Sequence, residues 1–234
     1  MEGCGNFIGP YPCCSIITGD AKDLAKAIPD ESVDLIFTDP PYPHEYLYLY
    51  EWLAQQCYRL LKPDGFVLTY VAPYHKDTIM SLFRESGQFA YYWDYIEYFS
   101  GNSTIIWPRN TISRYKSILA YRPMGSQAKC RHNVLGVLPG NKVKYGDKRF
   151  HRWGQFVRTA RYYIDFFSKP GEVVLDPFVG AGTTPIACGR VSRHYLAFEI
   201  EPDMAERARE RVRNTQPPLF VMQPQQATYI DEKE

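Results

Sequence analysis

No two cysteines in this sequence stand at C-x-x-C spacing, and no paired Cys/His spacing marks a zinc finger. Cys4, Cys13 and Cys14 with a distant histidine are a conceivable ligand set, but their spacing selects no metal and none is expected. The six cysteines read as reduced thiols of a cytoplasmic protein. A run of about 18 apolar residues is missing, so no membrane span is expected. The N-terminus lacks a basic segment followed by an apolar run, so no signal peptide is expected either. Net charge is nearly absent, at +1. The phosphate-binding loop G-x-x-x-x-G-K-[ST] is absent for want of its lysine, and no internal repeat is evident.

What is present is unevenly distributed. Of the 27 Lys and Arg, 13 fall between Tyr98 and Arg161, against one of the 26 Asp and Glu, Asp147. A basic segment on an acidic body is the electrostatic footprint expected for a polyanion. Aromatic residues make up 15%, a share that can fill a core or supply stacking platforms for bases.

The 234 residues suit one domain with an insertion. Val33–Thr38 (VDLIFT) is a nearly continuous apolar run, as in a strand buried on both faces. It stops at Asp39-Pro40-Pro41-Tyr42, because proline has no N–H for a sheet ladder. Residues 45–61 carry apolar positions at helical spacing and end at Lys62-Pro63-Asp64-Gly65. Further strands are expected over 66–71, 91–99, 117–121, 172–175 and 194–198, and helices over 77–86, 156–167, 183–190 and 202–213. Residues 122–152 hold Gly and Pro with little periodicity and read as an inserted region. The Pro- and Gln-rich residues 214–234 read as an extended tail. Alternating strands and helices give an α/β sheet with helices on both faces.

Two constellations carry chemistry. Asp176-Pro-Phe-Val-Gly-Ala-Gly-Thr-Thr184 follows a strand and opens a helix. Its glycines let backbone approach a ligand, and the helix start offers unpaired N–H groups to an anion. Glu199 closes the next strand, where a carboxylate can accept from ribose hydroxyls. In the second constellation, the Asp39 carboxylate and the Pro40 carbonyl could grip both hydrogens of an amino group. Pro41 stiffens the turn, and Tyr42 offers a flat face for a base. Ligands bind beyond the carboxyl ends of strands in such sheets, so Asp39, Asp176 and Glu199 are expected on one rim.

In these motifs the chain resembles the beta-class DNA amino-methyltransferases, in which D-P-P-Y precedes the glycine-rich cofactor motif. The resemblance covers roughly residues 15–213, in the order Gly19-Asp20, Asp39–Tyr42, basic insert, Asp176–Thr184, Glu199. It implies a circularly permuted, Rossmann-like S-adenosylmethionine methyltransferase sheet, with residues 122–152 as a small target-recognition insert. It also implies that Asp20 and Ala21 lie near the cofactor adenine. Asp176, Phe178, Gly180, Gly182, Thr183 and Thr184 would hold the methionine part, and Glu199 the ribose. Many relatives carry Gln-Lys-Pro before the cofactor strand. Here His151-Arg152-Trp153-Gly154-Gln155 stands instead, as in phage-type members, and Gln155 is the candidate for the cofactor carboxylate.

The implied reaction is methylation of an exocyclic amino group of a base flipped out of double-stranded DNA. Adenine is the expected base, since related cytosine-amino enzymes often carry Ser where this chain has Asp39. Lys129, Arg131, Lys142, Lys144, Lys148, Arg149 and Arg152 are the expected DNA contacts. Cytosine, RNA or a protein glutamine remain alternative substrates, and an inactive DNA-binding module the non-enzyme alternative. A homodimer and a partner endonuclease are left open, as is membership of a restriction-modification system. The resemblance points to a bacterial, archaeal or phage-infected cell.

Overall fold

The structure, a computed structural model, describes residues 5–99, 104–106, 109–139 and 156–215. The strands are β1 (Phe7–Ile8), β2 (Tyr11–Pro12), β3 (Ser15–Thr18), β4 (Val33–Thr38), β5 (Leu61–Val71) and β6 (Phe89–Tyr98). They continue with β7 (Thr104–Ile106), β8 (Thr111–Ser113), β9 (Tyr115–Pro123), β10 (Val137–Pro139), β11 (Val173–Asp176) and β12 (His194–Glu199). The α-helices are α1 (Ala21–Leu24), α2 (Leu47–Leu60), α3 (Lys76–Glu85), α4 (Val157–Phe167), α5 (Thr183–Arg190) and α6 (Pro202–Thr215).

Eight strands form one sheet in the order β10-β6-β9-β5-β4-β11-β12-β3. Among the described residues every pairing in it is parallel except those of β9, which runs against both β5 and β6. β1–β2 and β7–β8 form two small antiparallel hairpins outside it. All six residues of β4 are buried, because helices cover both faces of the sheet. One face packs against α4, α5 and α6 through Tyr163, Ile164, Ile186 and Ala208. The other packs against α1, α2 and α3 through Ala21, Leu53, Ala54, Ile79 and Phe83. In α2 the buried positions Leu49, Tyr50, Leu53, Ala54, Cys57 and Leu60 recur at helical spacing, forming one apolar stripe. Each leucine of the stripe, taken wholly out of water, contributes roughly 1.5–3 kcal/mol.

Two local features fix the centre of the sheet. Asp34, buried within β4, accepts from Val173 N in β11 at 2.9 Å and from Lys62 Nζ in β5 at 2.6 Å. One carboxylate thereby ties three neighbouring strands. The Lys62–Gly65 turn expected from sequence is absorbed into β5 as an irregularity, with Val33 opposite Leu61 and Leu35 opposite Phe66. A Cβ at Gly65 would stand 2.8 Å from Leu61 and 2.9 Å from the Asp34 carbonyl, so the bulge closes only around glycine.

The β1–β2 and β7–β8 hairpins and the three-residue β10 were not expected from sequence. Helix α6 runs to Thr215, beyond the expected start of the tail, and residues 216–234 lie outside those described. No helix among the described residues is long and apolar enough to cross a membrane.

Candidate active site

The carboxyl ends of β4, β11, β12 and β3 lie in that order along one rim, so Asp39, Asp176, Glu199 and Asp20 come together from four chain regions. Thr38, the last residue of β4, donates from Oγ1 to Asp176 Oδ1 at 2.8 Å. The same oxygen accepts from Phe178 N at 3.1 Å, turning the chain into the glycine loop. Asp176 is buried, and its contacts are to the loop and to Thr38. Burial pushes its carboxyl up to about 6, against hydrogen bonds from Thr184, Thr38 and Phe178 N that favour the anion.

Across the loop, Gly180 N donates to Glu199 Oε2 at 2.9 Å, and Glu201 N to Glu199 Oε1 at 3.1 Å. Glu199 is half-buried, and each oxygen keeps a further lone pair for a ligand hydroxyl. Gly180 (φ 48°) and Gly182 (φ 81°) sit in the left-handed region. A Cβ at Gly180 would meet no atom within 4 Å, so the space before the loop is open. Behind it, a Cβ at Gly182 would press on the Ala208 carbonyl of α6 at 3.3 Å. Thr183 and Thr184 are buried in the first turn of α5, and Arg211 of α6 donates to the Ala181 carbonyl at 2.7 Å. Phe178 packs edge-on against Trp52 of α2, with centroids 6.1 Å apart. Asp20 caps α1 by accepting from Lys22 N at 2.8 Å, while Ala21 is buried in that helix. Gln155 lies outside the described residues.

The tetrapeptide after β4 is set in aromatic surroundings. Pro40 is buried, Pro41 exposed, and Asp39 and Tyr42 half-buried. The Tyr50 hydroxyl donates to the Tyr70 carbonyl at 3.1 Å and lies 3.5 Å from the Pro40 carbonyl. The Tyr42 hydroxyl points inward. Burial, then the Asp39 charge, raises its phenol well above the ordinary range, so it stays protonated. The Lys116 ammonium stands 5.4 Å from the Tyr42 ring centroid and 5.7 Å from that of Tyr70. Behind Tyr70, buried Glu97 accepts from the Tyr70 hydroxyl at 3.3 Å and from Thr159 Oγ1 of α4 at 2.5 Å. Burial raises the Glu97 pKa, partly opposed by those donors and by the Lys116 charge.

Sequence reasoning passed over Lys116, Tyr50, Tyr70 and Glu97. Their signal exists only once antiparallel β9 sets Lys116 opposite Glu97. The direction of β9 also divides the basic segment between two edges. Its first residues, Tyr115 and Lys116, lie at the rim with Arg109 and Arg114. Phe99 N donates to the Arg114 carbonyl at 2.7 Å, and Arg109 is close enough to His75 to help lower its pKa, after burial and His44. The last residues, Tyr121–Pro123, lie at the opposite edge. Lys129 and Arg131 follow from there, so they do not join the rim. Arg131 instead donates to the carbonyls of Asp165 (3.2 Å) and Ser168 (3.3 Å) at the end of α4. The described part of the expected insert, residues 122–139, thus starts at the edge away from the rim. β10 returns the chain toward the rim at Pro139 beside Tyr98, and Phe156 re-enters against Phe99. Lys142, Lys144, Lys148, Arg149 and Arg152 lie between, outside the described residues.

A profile described as DNA methylase, covering N6 and N4 methylases, matches residues 33–210. The chain belongs to this family. The methylase is 27% identical over 240 residues to the type II methyltransferase M.BglII of Bacillus subtilis, across 82% of its own length and 66% of that protein's. It is 28% identical over 207 residues to the putative methylase YubD of Escherichia coli K12, across 79% and 83%. Among solved structures it is similar to TTHA0409 of Thermus thermophilus, a putative DNA modification methylase complexed with S-adenosyl-L-methionine. That likeness has 25% identity and a TM-score of 0.69 over 87% and 94% of the two chains. The match puts both the D-P-P-Y turn and the glycine loop of the methylase inside the family region.

The raised Asp176 pKa has a consequence for stability. Between pH ~4 and ~6 the folded state keeps a proton that the unfolded state has released, so this group's contribution falls as pH rises through that window. Asp176→Asn should remove about 1 kcal/mol of the stability that the wild type loses between pH 5 and pH 7. Urea unfolding at the two pH values checks this, and parallel losses in both proteins would contradict it.

Proposed function

We propose that the methylase transfers a methyl group to the exocyclic amino nitrogen of adenine in double-stranded DNA, with S-adenosylmethionine as the donor. The observation that carries the reading is the Thr38–Asp176 bond, which holds the Asp39–Tyr42 turn beside the glycine loop. The residues at the rim fit the donor: open space before Gly180, the N-terminus of α5, and remaining lone pairs on Glu199 and Asp20 at neighbouring strand ends. Bound S-adenosylmethionine supplies the electrophilic methyl. Gly180, Gly182, Thr183 and Thr184 would hold its amino-acid part, with Asp176 and Phe178 fixing the loop. Glu199 would take the ribose, and Asp20 and Ala21 the adenine side.

An aromatic amino group is a weak nucleophile because its lone pair is delocalised into the ring. Hydrogen bonds from its two N–H groups to Asp39 and to the Pro40 carbonyl favour a pyramidal nitrogen with the lone pair directed at the methyl. A new N–C bond forms as the S–C bond breaks, and the excess proton leaves afterwards to solvent. The high pKa of Tyr42 keeps its ring neutral beside Asp39, so its face can stack on the base while Lys116 lies over the ring. Stacking of about 1–3 kcal/mol per base then offsets the few kcal/mol that flipping costs. Most of the acceleration comes from positioning and fixed dipoles. Adenine rather than cytosine is supported by Asp39, where the cytosine-directed relatives often carry Ser.

The DNA face we assign is the rim side, with Arg109, Arg114 and Lys116; Lys142, Lys144, Lys148, Arg149 and Arg152, outside the described residues, stay proposed contacts on their charge alone. Lys129 and Arg131 are left out because they follow the far end of β9.

Mass spectrometry of nucleosides from DNA incubated with enzyme and S-adenosylmethionine should show N6-methyladenine. Methylated cytosine alone would overturn the choice of base. Arg109→Ala with Arg114→Ala should make the log–log salt dependence of DNA affinity shallower by up to about 0.9 per lost contact. Lys129→Ala should leave that slope unchanged, and a reversed pattern would move the DNA face to the other edge.

A further inference from the structure

At the edge of the sheet opposite the rim, Cys13, Cys14 and His194 bring three ligand atoms within 4.8 Å of one another. Cys13 and Cys14 immediately precede β3, and His194 opens the adjacent β12. The six residues of β12 put this cluster roughly 17 Å from Glu199, so it is no part of the methyl-transfer site.

Adjacent residues of an extended chain point to opposite sides, so neighbouring cysteines do not ordinarily converge. Here they do, because Cys14 adopts φ 60°, a left-handed conformation uncommon for a residue with a side chain. Cys14 N donates to the Tyr195 carbonyl at 2.7 Å and Cys13 N to the Asn6 carbonyl at 2.9 Å, which hold the two residues in that bend. A conformation of this kind persists only where its surroundings impose it, and such positions cluster at ligand sites.

Two of the three separations have a specific match, and the third, from Cys13 Sγ to the His194 ring, lies within 4.8 Å. In a tetrahedral zinc site, with Zn–S of about 2.3 Å and Zn–N of about 2.0–2.1 Å, sulfurs stand about 3.8 Å apart and sulfur and nitrogen about 3.6 Å. The Cys13 and Cys14 sulfurs are 3.7 Å apart, and Cys14 Sγ is 3.6 Å from His194 Nδ1. Cys13 is buried, whereas Cys14 and His194 are half-buried, so an ion can enter from solvent.

We propose that Cys13, Cys14 and His194 bind one thiophilic divalent cation, zinc by the geometry of the set, with the fourth position open to solvent. Bound there, the ion would tie the start of β3 to the start of β12. Its binding displaces any thiol protons of the two cysteines to solvent and requires no redox partner.

The test uses the full chain, chelator-stripped and kept reduced with a thiol-free phosphine. Titration with zinc(II) against a chromophoric chelator should show one bound equivalent, and cobalt(II) in its place should give sulfur-to-metal charge-transfer bands. Cys14→Ser and His194→Ala should each weaken zinc binding by about tenfold to a hundredfold or more, whereas Cys57→Ala should not. On the unmodified protein, zinc should slow alkylation of Cys13 and Cys14, mapped by peptide mass spectrometry, and leave Cys130 unaffected. That arm needs no variant to fold. Absence of a bound equivalent, binding that survives both ligand substitutions, or alkylation indifferent to zinc would overturn the proposal.

Discussion

A single buried hydrogen bond, from Thr38 Oγ1 to Asp176 Oδ1, joins the two strand ends on which the site is built. Strands β4 and β11 are neighbours in space but separated by more than a hundred residues of chain, and their pairing carries each to the same rim. Asp176 then turns the chain into the glycine loop through Phe178 N, while Thr38 hands it to Asp39 and the two prolines. The spacing between Asp39 and the glycine loop, the proposed holds for the amino group and the methyl donor, is therefore set by the pairing of packed strands. Burial of Asp176 makes that junction electrostatically expensive at neutral pH, and three hydrogen-bond donors compensate only in part.

Much of this was legible in the sequence because it is local. VDLIFT followed by two prolines can scarcely be other than a buried strand and its end, and the glycine loop between a short apolar run and a helix has the same clarity. The expected helix over 183–190 is the observed α5. The lettering failed where meaning depends on partners distant in sequence. Lys62–Gly65 has the composition of a turn, yet Asp34 and Leu61 pack around Gly65 and keep it within β5. Arg211 reads as one more charge on a polar helix, but its guanidinium is buried against the glycine loop.

Charge shows the same division most sharply. The basic segment was visible as a count, and a count has no direction. Because β9 alone runs antiparallel among the described strands of the sheet, it carries Arg114 and Lys116 to the rim and delivers Lys129 and Arg131 to the other edge. Arg131 is there a helix-terminus donor, where a cation meets the negative end of α4. The same reversal sets Lys116 over the rings of Tyr42 and Tyr70, with Glu97 behind Tyr70.

The central claim is a division of labour on one rim: Asp39 acts on the base, while the loop and Glu199 act on the donor. Asp39→Ala separates the two most directly, with S-adenosylmethionine affinity followed by calorimetry and transfer of a labelled methyl group to DNA followed in parallel. Loss of the charged acceptor should leave donor affinity within about a factor of two and reduce methyl transfer by about a hundredfold or more. Transfer that persists at the wild-type rate in the folded, donor-binding variant would contradict the account.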